Sequence, residues 1–221
     1  MLDSKEWRVG PQTTEADRVG FKNRGGVFFN CHYLPETGLV YMTSEGGQIG
    51  ENNGYYTIVK YNPADRKEVG TIGWDAARGG TSSIVDQNGL FWYLQRDGPI
   101  GQAQKVKVST VDLLKNASVR GRTDCGGRRP CYDEGDNPAQ YVPDIDKILV
   151  WCTRGRTGEA QVGEMLEFDR STLAFSLFPV EGTPAPVQRL MNNKVRYWPK
   201  QKVLVFQLAT DVSARVIKLA K

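Results

Sequence analysis

RYWPKQKVLVFQL, residues 196–208, reads as an aromatic, one residue, a proline, a few turn formers and then an alternating apolar run. The same order recurs in HYLPETGLVYMTS at 32–44 and in QYVPDIDKILVWC at 140–152. A worn copy is SIVDQNGLFWYLQ at 83–95, where Ile84 stands for the tyrosine and Asp86 for the proline. The anchors Tyr33, Ile84, Tyr141 and Tyr197 lie 51, 57 and 56 residues apart. A period of that length marks a chain built from repeated supersecondary units.

Each copy shows period-two alternation of β-branched and aromatic residues, broken by Gly, Pro, Asn and Asp, which predicts short antiparallel strands. In the first unit these are VFFNCHY, LVYMTS, YYTIVKYN and KEVGTIG, and in the third PAQYV, KILVWC, GEMLEFD and LAFSLFPV. Helical periodicity is nearly absent. A twisted four-stranded sheet of about 50 residues cannot cover both its faces alone, whereas stacking such sheets around an axis covers them. The fold class expected is therefore all-β, a small β-propeller of four blades with four antiparallel strands each. The blades span approximately 27–75, 81–119, 138–180 and 193–221, in a single domain over 1–221. SARVIKLAK ends the fourth unit without a last strand, and LDSKEWRV at 2–9 is written like FDRSTLAFSL at 168–177. The N-terminal strand is expected to complete the last blade and so remove an exposed sheet edge.

The totals agree with a soluble, turn-rich domain: 221 residues, 24% charged, 39% apolar, 24 glycines and 11 prolines. No apolar run reaches the roughly 18 residues that a membrane helix needs, and MLDSKEWRVGPQ lacks the apolar stretch of a secretory signal. The expected setting is the cytoplasm, or a virion if the chain is viral, with no membrane contact. A net charge of +4 is too mild to indicate nucleic-acid binding by itself.

The chain resembles the kelch and galactose-oxidase-like propellers. The likeness is carried by Gly46-Gly47 after the second strand of the first unit, by the strand ends Tyr61-Asn62-Pro63 and Phe168-Asp169, and by the aromatic-X-Pro turns. The glycine pair is lost from the other units, which read Arg96-Asp97-Gly98, Arg154-Gly155-Arg156 and Ala209-Thr210. The resemblance implies a propeller fold over nearly the whole chain. It assigns no function, because one fold hosts many.

Catalytic machinery is not visible. Copper-radical oxidation of the galactose-oxidase kind uses two histidine ligands, and His32 is the only histidine. In an inner strand it reads as a satisfied structural residue. No Ser/His/Asp set, Cys/His pair or phosphate-cradling glycine loop is written in the chain, so no catalytic residue, metal or cofactor is assigned. DEGDN at 133–137 and the pair Asp144 and Asp146 read as solvated charge rather than a calcium loop, because the ordered ligand spacing is missing. Cys31 and Cys152 read as small core residues. Cys125 and Cys131 bracket GGRRP closely enough to bridge in an oxidising compartment, and are otherwise two free thiols.

Strands that run alternately up and down put the long connections on one face and the tight turns PETG, DQNG, DRST and PKQ on the other. Eleven of the 16 arginines fall in segments read as long loops, together with one lysine and twelve acids. Such a face is nearly neutral, which argues against a nucleic-acid track. Arginine forks suit protein interfaces. The densest cluster, GRTDCGGRRP with TRGRTG, nominates Arg120, Arg122, Arg128, Arg129, Arg154 and Arg156 as partner-binding, with pairing to neighbouring acids of the same chain as the other reading. The function expected is a non-catalytic structural or adaptor module that binds a protein partner or itself through its long-loop face, as in a larger assembly such as a virion. The alternative is a glycan-binding or glycan-cleaving propeller, since paired carboxylates could come from different blades.

Overall fold

Alternating apolar runs separated by four-residue turns give four antiparallel sheets in the computed structural model, which describes residues 29–44, 56–74, 82–97, 105–128, 130, 138–152, 163–180, 195–206 and 215–219. Blade 1 holds β1 (Phe29–Leu34), β2 (Leu39–Ser44), β3 (Tyr56–Asn62) and β4 (Lys67–Trp74) in that order. Blade 2 holds β5 (Ser82–Val85), β6 (Leu90–Asp97), β7 (Lys105–Asp112) and β8 (Ala117–Asp124). The two-residue β9 (Gly126–Gly127) follows. Blade 3 holds β10 (Ala139–Val142), β11 (Lys147–Trp151), β12 (Met165–Asp169) and β13 (Ala174–Leu177), and β9 pairs in parallel with β13 on its outer side. Blade 4 holds β14 (Val195–Trp198), β15 (Val203–Phe206) and β16 (Arg215–Lys218). The inner strands β1, β5, β10 and β14 contact one another in sequence, and the sheets form a four-bladed β-propeller. The strand proposed at residues 2–9 lies outside the described residues. Among the described residues no helix is long and apolar enough to cross a membrane.

One hairpin design repeats. The last residue of each inner turn sits in the left-handed region: Gly38 (φ 67°), Gly89 (φ 73°), Asp146 (φ 53°) and Lys202 (φ 53°). The outer hairpins do the same at Arg66, Asn116 and Leu173. Each outer turn is also capped by the residue that ends its third strand. Asn62 Oδ1 accepts the Ala64 amide at 2.9 Å, Asp112 Oδ1 that of Lys115 at 2.9 Å and Asp169 Oδ1 that of Ser171 at 2.8 Å. Such side-chain-to-backbone bonds favour turns over further strand. The hydroxyl of Ser171, with the turn amides, holds the Asp169 carboxyl down at about 2.

The repeat needs one correction. In blades 1, 3 and 4 the last paired residues before the inner turn are Leu34, Val142 and Trp198, each followed by four turn residues. In blade 2 the Asp86 amide donates to Leu90 O at 3.0 Å, so pairing extends to Asp86 and only three residues turn. The residue in register with Tyr33, Tyr141 and Tyr197 is therefore Val85, not Ile84. Facing confirms it: Ile84 packs toward blade 3, whereas Tyr141 packs back toward blade 2.

Three apolar clusters sit at blade boundaries. Leu34, Tyr41, Ile58 and Ile72 of blade 1 meet Phe91, Tyr93, Val111 and Leu113 of blade 2. Trp92, Leu94 and Val108 meet Ile148, Val150, Leu166, Phe168 and Phe175 at the next boundary. Trp151 and Met165 meet Leu204, Phe206 and Ile217 at the third, where the Trp151 and Phe206 rings cross with centroids 3.9 Å apart. Each sheet thus buries on its neighbour the face it cannot cover itself.

Candidate functional site

The nominated arginines divide once placed on the fold. Arg120 and Arg122, expected in a long loop after the second blade, are not in one. They lie on β8, because pairing with β7 continues to Lys107↔Asp124. Residues 117–121 of β8 are exposed, Val119 among them at 58%, and Arg122 is half-buried. Beyond β8 the backbone crosses to blade 3 as a strap. The Gly126 amide donates to Leu173 O at 2.9 Å and the Arg128 amide to Phe175 O at 2.8 Å. The Arg128 side chain then bonds both carboxylate oxygens of Glu164, with Nη2 to Oε2 at 2.7 Å. Arg128 is therefore engaged within the chain, fastening the strap to the start of β12. Arg129, Arg154 and Arg156 lie outside the described residues, as does DEGDN.

At the opposite, tight-turn face, Arg170 links blades 2 and 3. Its guanidinium donates to Asp86 and to Asp146 and lies over the Tyr141 ring at 5.1 Å and the Trp92 ring at 6.0 Å. Trp92 Nε1 donates to Asp86 at 2.9 Å, and the Tyr141 hydroxyl donates to Asp146 at 2.7 Å. Burial, and then the Asp146 bond, pushes the Tyr141 hydroxyl up to about 12. The same bond, with Arg170 nearby, lowers the Asp146 carboxyl. Asp144 faces blade 4, 3.4 Å from Lys202 Nζ. Burial, then Asp144 itself, pushes the Tyr197 hydroxyl up to about 12, although it points at that carboxylate without closing a hydrogen bond of normal geometry. These acids thus join blades to one another.

The inner strands enclose a cavity of about 450 Å³, lined at its turn end by residues of all four blades, including Tyr33, Glu36, Gln87, Gln140 and Arg196. Cys31 lines it too and is exposed, which corrects its reading as a core residue: β1 turns that side of its pleat toward the channel. Cys152 is buried in the boundary between blades 2 and 3, as expected. Cys125 packs against the same boundary with a free thiol that burial pushes up to about 12, so it is not a reactive thiolate. Cys131, its expected partner in a bridge, lies outside the described residues.

His32 joins blade 1 to blade 2. Its Nε2 lies 2.8 Å from Ser83 Oγ, and its ring meets Phe91 edge-on at 5.9 Å. Burial, then the nearby Arg196 charge, lowers its pKa to about 4. The unfolded chain takes up a proton near the ordinary value of 6.5, while the folded chain resists to about 4. Between these values the unfolded state binds more protons, so stability falls as pH falls, by about 3 kcal/mol in all. Urea unfolding from pH 7 to pH 4 should show this loss, and His32→Gln should flatten that part of the profile. An unchanged slope in the variant would remove the assignment.

Fold and geometry define a β-propeller with a polar central cavity and an exposed outer strand carrying arginine. No protein-family model matches the chain, and no curated protein matches it. Among solved structures it is similar to Kuenenia stuttgartiensis hydrazine synthase, with a TM-score of 0.49 and 15% identity over 96% of this chain and 49% of that one. The chain thus spans about half the length of that structure.

Proposed function

We propose that the chain is a non-catalytic, kelch-like propeller that acts as an adaptor or structural module, docking a protein partner along β8 as part of a larger assembly such as a virion. The observation that carries this is the exposure of β8 through Gly121, with Val119 and Arg120 presented together on an outermost strand. An outer strand offers main-chain hydrogen bonds to an extended segment, and arginine forks add carboxylate recognition. Arg122 and Arg129 lie in the same stretch of sequence as Arg120, and Arg154 and Arg156 in the separate TRGRTG segment, whereas Arg128 is occupied by Glu164. A photo-crosslinker at Val119 should capture one partner at stoichiometric yield. The variant Arg120→Glu, at an exposed position, should lose at least tenfold of that capture with its melting temperature held. Equal capture by the variant overturns the reading.

A second reading, glycan binding, is favoured by the exposed ring of Tyr33 at the mouth of a polar cavity. An aromatic with an apolar body and a polar tip suits a ligand that is itself amphipathic.

A further inference from the structure

We infer that the turn end of the central cavity is a binding site for a monosaccharide-sized sugar acid, its carboxylate held by Arg196 and its ring laid on Tyr33. This rests on the glycan reading and specifies it. The cavity, about 450 Å³, falls within the range of small-ligand sites, which usually set a few convergent polar groups in a preformed cleft. Each wall is an inner strand or inner turn packed on a neighbouring blade through the boundaries described above.

Arg196 is exposed, and its one hydrogen bond among the described residues is from Nη1 to the carbonyl of the preceding Val195 at 3.0 Å. Among the described residues no carboxylate pairs with it. A guanidinium has five N–H donors in a planar fork, so most of them remain for a ligand, and the fork matches a carboxylate. The other charges nearby set the ligand's charge. Asp86 is spent on Arg170 and Trp92, which leaves Glu36 as the acid on this cavity. One cation beside one carboxylate would repel a phosphate dianion but tolerates a monoanion, whose remaining contacts must be neutral donors and acceptors. Gln87, Gln140 and Glu36 supply partners for hydroxyl groups, and the Tyr33 ring, 60% exposed, supplies a flat apolar surface for the C–H face of a pyranose. A small aliphatic acid would use Arg196 and leave the rest unused.

Titration calorimetry of the whole chain with D-glucuronate, D-galacturonate and D-glucose tests this. The expected result is measurable binding of at least one uronate, at least tenfold weaker binding of glucose, and at least tenfold loss of uronate binding in Arg196→Gln with an unchanged melting temperature. Tyr33→Ala should weaken the same uronate without removing charge selectivity. Uronate and glucose bound alike, with Arg196→Gln indifferent, would overturn the sugar-acid inference and leave the glycan reading standing. No sugar bound at 10-millimolar order would overturn both.

Discussion

Arg170→Met is expected to lower the unfolding free energy by about 3–5 kcal/mol, the range for removing one partner of a buried ion pair. For a chain of this size that corresponds to a fall in melting temperature of roughly 6–20 °C. The two arms of the pair are unequal. The Asp86 side chain is 0% exposed and that of Asp146 60%, so the screened Asp146 arm contributes little and the Asp86 arm carries the effect. Without Arg170 the Asp86 carboxylate keeps Trp92 Nε1 and the amides of Asn88 and Leu90 as donors, but no charge of opposite sign among those partners. Adding Asp86→Asn to Arg170→Met should therefore recover part of the loss, because the uncompensated charge goes with it. A single-variant loss below about 1 kcal/mol, the size of a solvent-screened pair, would show that this contact does not hold blades 2 and 3 together.

Gly127→Ala should be nearly as damaging, and for a different reason. Gly127 has φ +74°, and a Cβ built there would stand 2.1 Å from the carbonyl oxygen of Phe175. The left-handed conformation alone costs an alanine about 1–2 kcal/mol. The steric clash is with backbone and cannot be relieved by a rotamer change, so the strap must lift. Lifting it sacrifices the two amide bonds to blade 3, each about 1 kcal/mol, together with the Arg128–Glu164 pair. The expected total is about 3–5 kcal/mol, read as a lower urea midpoint and as faster hydrogen exchange at the Arg128 amide. Gly126→Ala is the control. Its Cβ would meet only the Ala174 methyl at 3.9 Å, an ordinary contact, and it should cost under about 1 kcal/mol. Equal behaviour of the two alanine variants would mean that the parallel pairing of β9 with β13 is wrong.

How far the chain could be read depended on whether a feature repeats. Aromatic-X-Pro turns and alternating runs occur in several copies, so the strands of blades 1 and 3 were legible to within a few residues. The caps at Asn62 and Asp169 were also legible as strand ends. Asp112 belongs with them, and its signal was the Asp followed four residues later by Asn116, which takes the left-handed turn position. The strap left no trace, because two paired glycines have no side-chain pattern and parallel pairing has no adjacent hairpin. Arg170 was equally hidden. Its acids lie 84 and 24 residues away, and only the ring of blades brings three turns together. The cavity went unforeseen for a related reason. Loop length pointed to the long-loop face, whereas its described lining comes from inner strands and the short turns that end them.

The shortened turn of blade 2 carries one more lesson. Dropping a single residue from a hairpin would ordinarily turn a strand inside out, yet Ile84 and Asp86 still look toward blade 3 and Val85 still looks toward blade 1. The deletion was absorbed by extending the ladder one rung into the bend, so the pleat kept its parity while the letters slid. Copies of this module are therefore best superposed by which neighbour a side chain touches. Drift in the turns can then erase visible kinship between blades long before it disturbs how they stack.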